Sequence, residues 1–382
     1  MAQEMKNQTQ TTSPEPKSKR LVSLDALRGF DMLWIMGGER IITALADLTG
    51  LAAFTWAARQ MDHVEWNGFH FYDLIFPLFL FIAGVSMPLS LDKRKASGES
   101  KAKIYRHIFI RMITLVIFGI IYNGFLDLNW GHIRYASVLG RIGLGWFFAA
   151  IIVLNCKPKW WYAWFGGILM FYWAILSLIP VPGYGAGNLT MEGSLVGFID
   201  RLLLPGRLYL EVHDPEGILS TIPAISTALM GAITGNFLRI PDQKISGLKK
   251  ALWMGIAGII SLGLGGLWGL LFPINKNLWT SSFVLYTGGW SLLLVALFYV
   301  IIDVWGWKKW AFFFIVIGMN SITIYMFQAG IINFYSSTEF FFGGIIKSFG
   351  ENWQPLIGAI GYTTVCWVFL YILYKKKIFL KV

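Results

Sequence analysis

The sequence predicts an all-α, polytopic transmembrane helical bundle, and three observations support that fold class. Hydrophobic residues make up 56% of the 382 residues and charged residues only 14%, so the apolar surface is too large to bury inside one soluble core. Apolar windows of about 17–25 residues, the length that crosses a bilayer as a helix, recur along the chain. Basic residues are concentrated between these windows. Lipid must therefore be the solvent for much of this chain.

About ten transmembrane spans are expected after a polar amino-terminal segment. Residues 1–20 are rich in Gln, Thr, Ser, Pro and Lys, a composition typical of disordered chains, and we expect a cytoplasmic tail there. Residues 21–382 are expected to form one transmembrane domain. The predicted spans are 24–42, 70–91, 109–126, 136–155, 160–179, 217–238, 251–272, 280–302, 310–332 and 354–374.

The distribution of Lys and Arg predicts how the spans are oriented. With the amino terminus in the cytoplasm, 24 basic residues fall in cytoplasmic segments and 8 on the opposite side, as the positive-inside rule requires. Both termini are then cytoplasmic. This topology also explains the net charge of +11, so we expect no nucleic-acid partner. Cys156 and Cys366 lie in or beside apolar runs and indicate neither a disulfide nor a metal site.

The stretch 63–91 concentrates the groups best suited to chemistry at a membrane face. It places two histidines, two carboxylates, a tryptophan and an amide within eleven residues, just ahead of an apolar run. His63 is a candidate general base because imidazole takes up protons near neutral pH. Asp73 is either a structural acid at a helix start, where the helix dipole favours an anion, or an acid lining a pocket. Pro77 is expected to kink the following helix.

Ionisable side chains inside other spans mark further candidate positions, because a charge in hydrocarbon is costly. In the first span Asp25, Arg28 and Glu39 share one helix face. They form an anchoring ion pair with an interfacial acid, or they line a polar path. Arg111 and Arg141 stand in apolar stretches, where each either pairs with a carboxylate or binds an anionic group.

Three more polar segments lie in or beside later spans. The stretch 213–217 predicts a helix start, with Asp214 as the N-cap and Pro215 at the first helical position. A short outer loop around Asn275 carries amides and a cation, and Asn320 is an amide within the ninth span. These groups are candidates for contact with a polar substrate.

Several of these segments also carry a resemblance to a known family. They are Leu24-Asp-Ala-Leu-Arg-Gly29, His63-Val-Glu-Trp-Asn-Gly68, Asp73-Leu-Ile-Phe-Pro77, Phe81-Ile-Ala-Gly84, Val138-Leu-Gly-Arg-Ile-Gly143, Asp214-Pro-Glu-Gly-Ile218, Asn275-Lys-Asn-Leu-Trp279, Gly318-Met-Asn-Ser-Ile322 and Tyr371-Ile-Leu-Tyr-Lys-Lys-Lys-Ile378. In this order they resemble the heparan-alpha-glucosaminide N-acetyltransferase family, within the transmembrane acyltransferases. The resemblance covers essentially all of the chain after residue 20.

The resemblance implies that residues 21–382 form a transmembrane acyltransferase domain that transfers acetyl groups across the membrane. Acetyl-CoA would bind from the cytoplasm as cosubstrate, and an amino sugar such as a terminal glucosamine would be N-acetylated on the far side. The family's active-site histidine falls on His63 and its acceptor-pocket aspartate on Asp73. Either direct attack in a ternary complex or an acetyl-histidine intermediate would satisfy this chemistry.

The remaining site expectations follow from these segments. Glu39 is a third catalytic candidate, since an acid there could accept a proton. CoA carries phosphates, which favours basic contacts, and we expect these from Arg28, Arg111 and Arg141. No metal is expected. Substrate contacts are expected from Trp66, Asn67, Asp214, Asn275 and Asn320.

Two departures from the family bear on the acceptor. Glu39 stands where the human-type members carry asparagine, and Gln328 stands where they carry a histidine.

Two alternative functions stay open, namely O-acetylation of a cell-envelope glycan and transport of a sugar or lipid-linked sugar. Besides a glycan acceptor, we expect membrane lipid and a second copy of the chain as partners. The bare tail and the lack of a lumenal-type domain indicate a bacterial inner membrane.

Overall fold

The structure is a computed structural model that describes residues 21–127 and 132–380. The predicted tail, 1–20, lies outside the described residues. Within the described part the chain is helical and forms no β-strand, which confirms the predicted fold class. The α-helices are α1 Val22–Leu33, α2 Glu39–Thr49, α3 Ala52–Gln60, α4 Ile75–Ala96, α5 Lys101–Tyr122, α6 Val138–Asn155, α7 Pro158–Leu178, α8 Leu195–Leu203, α9 Thr221–Leu238, α10 Gly247–Gly269, α11 Ser281–Phe298, α12 Phe312–Met319, α13 Ser321–Met326, α14 Phe334–Ser348 and α15 Gln354–Lys375.

The described helices define a polytopic integral membrane protein. Eight helical segments are long and apolar enough to cross a membrane, and the bent pair formed by α12 and the segment Ser321–Ile331 makes a possible ninth. Nine of the ten predicted spans coincide with these segments. The exception, 24–42, falls on α1, a π-helical turn at Trp34–Gly38 and α2. Its charged residues and the break at Gly37, where φ is +125°, distinguish it from the apolar helices.

Helix α4 lies at the centre of the bundle and carries the beginning of the candidate site. It packs against α9, α6, α11 and α1. Gly84 of α4 and Gly231 of α9 bring the two backbones into contact, since a Cβ at either position would overlap a main-chain oxygen of the other helix. Small residues permit such close packing in membranes, where van der Waals contact drives helix association. The core of the bundle is thus built around α4.

The charged first helix is accommodated by the same kind of packing. Gly29 of α1 and Gly318 of α12 face each other so closely that a Cβ on either would overlap the opposite backbone. Ser23, Leu24, Ala26, Leu27, Gly29, Asp31 and Met32 of α1 are buried. The first predicted span is therefore largely enclosed by protein, which offers its polar groups partners that lipid lacks.

Pro77 does not kink α4, contrary to the expectation from sequence. A 3₁₀ turn at Phe71–Leu74 comes first, and α4 begins at Ile75. Pro77 thus lies in the first helical turn, where a backbone N–H has no intrahelical acceptor and its loss costs nothing. Phe71–Ala96 forms one continuous candidate span.

The helix start predicted at 213–217 is also wrong. Helix α9 begins at Thr221, and Ser220 precedes it. The Asp214 carboxylate instead accepts hydrogen bonds from the backbone N–H groups of Tyr209 and Glu216. Asp214 therefore stabilises a turn ahead of α9, because these two hydrogen bonds occupy the carboxylate oxygens that an N-cap would use.

Candidate functional site

A cavity of about 680 Å³ lies at the end of the bundle where α4 begins. Its wall combines apolar side chains of α4 and α6 with polar groups from loops far apart in sequence. The ionisable and amide groups that line it are His63, Glu65, Tyr72, Asp73, Tyr122, Asn123, Arg134, Tyr209, Glu216, Lys276, Asn277 and Tyr325. The cavity is the first candidate for a binding site because it is concave, partly apolar and holds several convergent polar groups.

His63 and Asp73 form a hydrogen-bonded pair in the cavity wall. Nδ1 of His63 lies 2.7 Å from Oδ1 of Asp73, and the Asp73 side chain is 1% exposed while that of His63 is 50% exposed. A carboxylate only accepts, so Nδ1 carries the proton and Nε2 is left with a free lone pair. Oδ2 of Asp73 accepts from the backbone N–H of His70 at 3.0 Å. A buried acid thus orients an accessible imidazole.

Lys276 completes this cluster, although sequence reasoning gave it no role. Its Nζ lies 2.9 Å from each ring nitrogen of His63 and 3.5 Å from Oδ1 of Asp73. Burial lowers the pKa of Lys276, and the Asp73 carboxylate opposes that shift. The only signal in the sequence was a cation in a short loop on the side of the membrane that is poor in basic residues. We call His63, Asp73 and Lys276 the triad.

The loops that carry the triad are tied to each other. The Asn275 side chain accepts from the backbone N–H of Leu278 at 2.8 Å and donates to Oδ1 of Asn67 at 3.0 Å. The N–H of Gly68 donates to the carbonyl of Ile274 at 2.8 Å. Asn275 is fully buried, and neither it nor Asn67 lines the cavity. These two predicted substrate contacts therefore fix the distance between the His63 and Lys276 loops.

Trp66, another predicted substrate contact, also lies behind the cavity wall. Its Nε1 donates to the carbonyl of Leu189 at 2.8 Å, and its ring meets the edge of His213. His213 is fully buried, and burial lowers its pKa to about 4. His213 is therefore neutral at physiological pH, which leaves His63 as the imidazole at the cavity.

A second charged cluster lies at the cavity wall. Arg134 donates from Nε to Oδ2 of Asp214 at 2.8 Å and from Nη2 to Oδ1 at 2.7 Å, and it also binds Glu216. Burial alone would raise the pKa of Asp214, but the Arg134 guanidinium holds that pKa below its usual value. Asp214 is fully buried and does not line the cavity, whereas Arg134 and Glu216 do. Sequence reasoning selected Asp214 and missed both of its neighbours.

A smaller cavity of about 260 Å³ adjoins the first. The two share the side chains of Phe79, Leu139, Ile142, Ser321 and Ile322. The smaller cavity extends to Ser86, which at 1.5 Å per residue lies about 20 Å along α4 from Asp73. Together the two cavities run along much of the length of the central helix.

Three of the predicted site residues line the smaller cavity, namely Arg28, Arg111 and Asn320. Arg28 lies 3.5 Å from Asp25, and the Arg111 guanidinium lies 4.2 Å from the ring centroid of Trp146. Nε of Arg111 and Nδ2 of Asn320 are buried without a hydrogen-bond partner. Such groups are costly unless a ligand or water satisfies them.

Arg141 and Glu39 line neither cavity, as is also the case for Trp66, Asn67, Asp214 and Asn275. Arg141 is 1% exposed, donates to the Ser220 hydroxyl and lies over the Trp279 ring at 4.9 Å. Glu39 accepts from Arg40 at 3.3 Å. The structure does not bring Arg141 to Arg28 and Arg111, nor Glu39 to the triad.

The fold and the triad define a class, a polytopic helical membrane protein with a histidine and a buried acid at an internal cavity. A family profile described as "Domain of unknown function (DUF5009)" matches residues 20–125. The chain is 31% identical to heparan-alpha-glucosaminide N-acetyltransferase from Homo sapiens in a 376-residue alignment that covers 84% of this chain and 55% of that protein. The Mus musculus protein of the same name is 31% identical in a 375-residue alignment that covers 84% of this chain and 56% of that protein.

The similarity covers 84% of the chain and agrees with the family resemblance that the ordered segments in the sequence predicted. The chain spans about half the length of these curated relatives.

Proposed function

We propose that this protein is a membrane N-acetyltransferase. It moves an acetyl group from cytoplasmic acetyl-CoA to a glucosamine-like amino sugar on the opposite side of what we take to be a bacterial inner membrane. The observation that carries the proposal is the half-exposed imidazole of His63, oriented by buried Asp73 at a cavity that adjoins a second, basic one. The names of the two relatives support the same activity.

His63 supplies the base that transfer to an amine requires. The acceptor nitrogen attacks the thioester carbonyl carbon and forms the C–N bond, while Nε2 of His63 takes the proton from nitrogen. The C–S bond then breaks, and the leaving thiolate of CoA takes that proton from Nε2. Transfer through an acetyl group on Nε2 is the other route open to the same residue.

Asp73 orients His63 in this mechanism. We expected Asp73 to hold the acceptor amine, but its carboxylate is 1% exposed and already contacts His63, Lys276 and the backbone of His70. A buried carboxylate hydrogen-bonded to Nδ1 keeps the tautomer with a basic Nε2 and stabilises the imidazolium that forms. The acceptor is then bound by other groups of the cavity wall.

Other groups of the cavity wall suit a sugar. Tyr122 and Tyr325 line the cavity with their rings stacked at 4.3 Å between centroids, and tyrosine combines a flat apolar face with a polar hydroxyl. Glu216 and Arg134 add a carboxylate and a guanidinium within the same wall. These groups can bind hydroxyls and an amino group of a sugar ring.

The smaller cavity suits the donor. Arg28 and Arg111 supply positive charge for the anionic part of CoA, and the unpartnered amide of Asn320 can bind the polar arm. Shared apolar walls join this region to the triad, which would allow the thioester to reach His63 while the nucleotide stays on the cytoplasmic side.

The test is transfer by the purified protein in liposomes. Acetyl-CoA labelled in the acetyl group is supplied with glucosamine, and labelled N-acetylglucosamine and free CoA are measured, with His63→Ala as the comparison. The proposal expects both products from the wild type and loss of both in the variant. Release of CoA without labelled sugar, or equal transfer by His63→Ala, would overturn it.

Two matched acceptors separate the alternative functions. N-acetylglucosamine has no free amine, so labelled product from it would indicate O-acetylation. Uptake of labelled glucosamine into liposomes without acetyl-CoA would indicate transport. N-acetyl transfer predicts product from glucosamine only and no uptake.

A further inference from the structure

Lys276 is the member of the triad that the proton transfer leaves without a task. We infer that Lys276 is a catalytic residue, whose ammonium group donates a hydrogen bond to the thioester carbonyl oxygen as negative charge develops on it. This inference rests on the proposed acetyl transfer. It assigns the electrophilic partner of the reaction, which neither His63 nor Asp73 can supply while they handle the proton.

The distances place the Lys276 ammonium beside the position that the thioester carbonyl oxygen has to occupy. Nζ lies 2.9 Å from Nε2 of His63 and 3.5 Å from Oδ1 of Asp73. Nε2 receives the proton of the attacking amine, so the carbonyl carbon must lie beside Nε2 at that moment. An ammonium within hydrogen-bond distance of Nε2 is then in reach of the carbonyl oxygen, and Lys276 itself lines the cavity.

The ammonium has the donors that this role needs. It carries three N–H groups and no acceptor. One faces Asp73 and one points at the His63 ring, where Nζ is equally far from both nitrogens and so lies over the ring, off the in-plane lone pair of Nε2. The third remains for a ligand in the cavity. When the thioester binds, its carbonyl oxygen accepts from this third N–H, and the in-plane lone pair of Nε2 takes the acceptor proton.

The lysine is held in place before any substrate arrives. Its neighbour Asn275 is fully buried and hydrogen-bonded on both sides, and Trp279 at the end of the loop is fully buried with φ at +51°. The Lys276 side chain is 14% exposed. Donors that are fixed in place before the reaction stabilise a developing oxyanion more than mobile donors in water do.

The step balances without any further reactant. The amine nitrogen forms a bond to the carbonyl carbon, the C=O electron pair moves to oxygen, and Lys276 donates a hydrogen bond to that oxygen without losing its proton. The pair then returns, the C–S bond breaks, and the thiolate leaves with the proton held by His63. Lys276 ends the cycle as an ammonium.

The test compares Lys276→Met with Lys276→Arg in the same liposome assay. Removing one oxyanion donor typically lowers kcat about 100–1,000-fold, so Lys276→Met should lose that much while the KM values for acetyl-CoA and glucosamine change less than about threefold. Lys276→Arg keeps the charge and the donors, and we expect its kcat to be at least tenfold higher than that of Lys276→Met.

Lys250→Met is the matched control. Lys250 is also buried and ion-paired, with Nζ 2.7 Å from Asp242 and 3.2 Å from the carbonyl of Leu238, but it lies outside the two cavities. We expect transfer at the wild-type rate. Thermal unfolding of all variants in detergent identifies any loss that comes from misfolding, and Lys276→Gln replaces Lys276→Met if the latter does not fold.

The pH profile supplies a readout that a structural lysine would not change. Burial lowers the pKa of Lys276, with Asp73 and Glu216 opposing the shift and Arg141 adding to it. As the pH rises through this lowered pKa the ammonium is lost, so wild-type kcat should fall on the alkaline side below the usual lysine range. In Lys276→Arg the guanidinium stays charged, so the fall should move to higher pH.

The outcomes separate this inference from the proposed function. A kcat for Lys276→Met within threefold of the wild type, with His63→Ala inactive, would overturn the role of Lys276 and leave the transferase standing. An alkaline limb that does not move in Lys276→Arg would do the same. Absence of transfer by the wild type would overturn the proposed function instead.

Discussion

The two adjoining cavities differ in how their charged groups are satisfied. In the larger one, His63, Asp73 and Lys276 contact each other within 2.7–3.5 Å, and Arg134 is paired with two carboxylates. In the smaller one, Nε of Arg111 and Nδ2 of Asn320 are buried without partners. Paired groups that are fixed in place suit chemistry, whereas unpartnered donors suit the binding of an anion.

This difference separates two kinds of effect that substitutions should have. Changes around the triad remove groups that act in the transition state and should lower kcat. Changes in the smaller cavity remove groups that bind the donor equally well before and during reaction, and should raise its KM. The proposed function depends on both kinds of effect appearing in the same protein.

The largest effect is expected at His63. His63→Ala removes the base and should lower kcat about 100–10,000-fold, measured by release of labelled product from liposomes. The matched control is His70→Ala, because the His70 ring bonds the carbonyl of Asp62 and lines neither cavity. Activity in His63→Ala within tenfold of the wild type would contradict the assignment of the catalytic base to the larger cavity.

Arg111 should show the other kind of effect. Arg111→Met removes a half-buried cation from the smaller cavity. The loss of a charge-assisted hydrogen bond, roughly 1.5–3 kcal/mol, corresponds to a rise of about 10–100-fold in KM for acetyl-CoA. We expect kcat at saturating acetyl-CoA to stay within threefold. Arg59→Met, an exposed cation on α3, is the control. A fall in kcat at unchanged KM would contradict the assignment of this cavity to the donor.

The central helix that joins the cavities should tolerate no added methyl group at its contact with α9. A Cβ at Gly84 would overlap the backbone carbonyl of Ala228, so Gly84→Ala should destabilise the protein by about 1–3 kcal/mol. Thermal unfolding in detergent measures this. Gly166→Ala in α7, where a Cβ would meet nothing within 4 Å, should unfold no earlier than the wild type. Equal unfolding of the two variants would refute the close α4–α9 contact.

The smallest effect is expected at Glu39. Glu39→Gln should leave kcat and both KM values within about twofold, because Glu39 lines neither cavity and its contact is with Arg40. The measurement is the same transfer assay. A tenfold loss of kcat would restore Glu39 as a proton acceptor and extend the catalytic site beyond the larger cavity.

The sequence alone determined the fold class, and nine of its ten predicted spans fall on helical segments that are apolar enough to cross a membrane. It did so because hydropathy is a local property, read from about 20 consecutive residues. It also selected His63 and Asp73, which lie only ten residues apart, so that one short stretch carries both. The charged first helix was harder to assign as a membrane span, since its packing against α12 depends on the distant residue Gly318.

Only the tertiary structure decided which distant residues join that pair. Lys276 lies 213 residues from His63, and Arg134 lies 80 residues from Asp214. No periodicity or spacing links such positions, because their contact depends on how whole helices pack. The same packing joins Asn67 and Asn275, two predicted substrate contacts, by a hydrogen bond between the loops that carry His63 and Lys276.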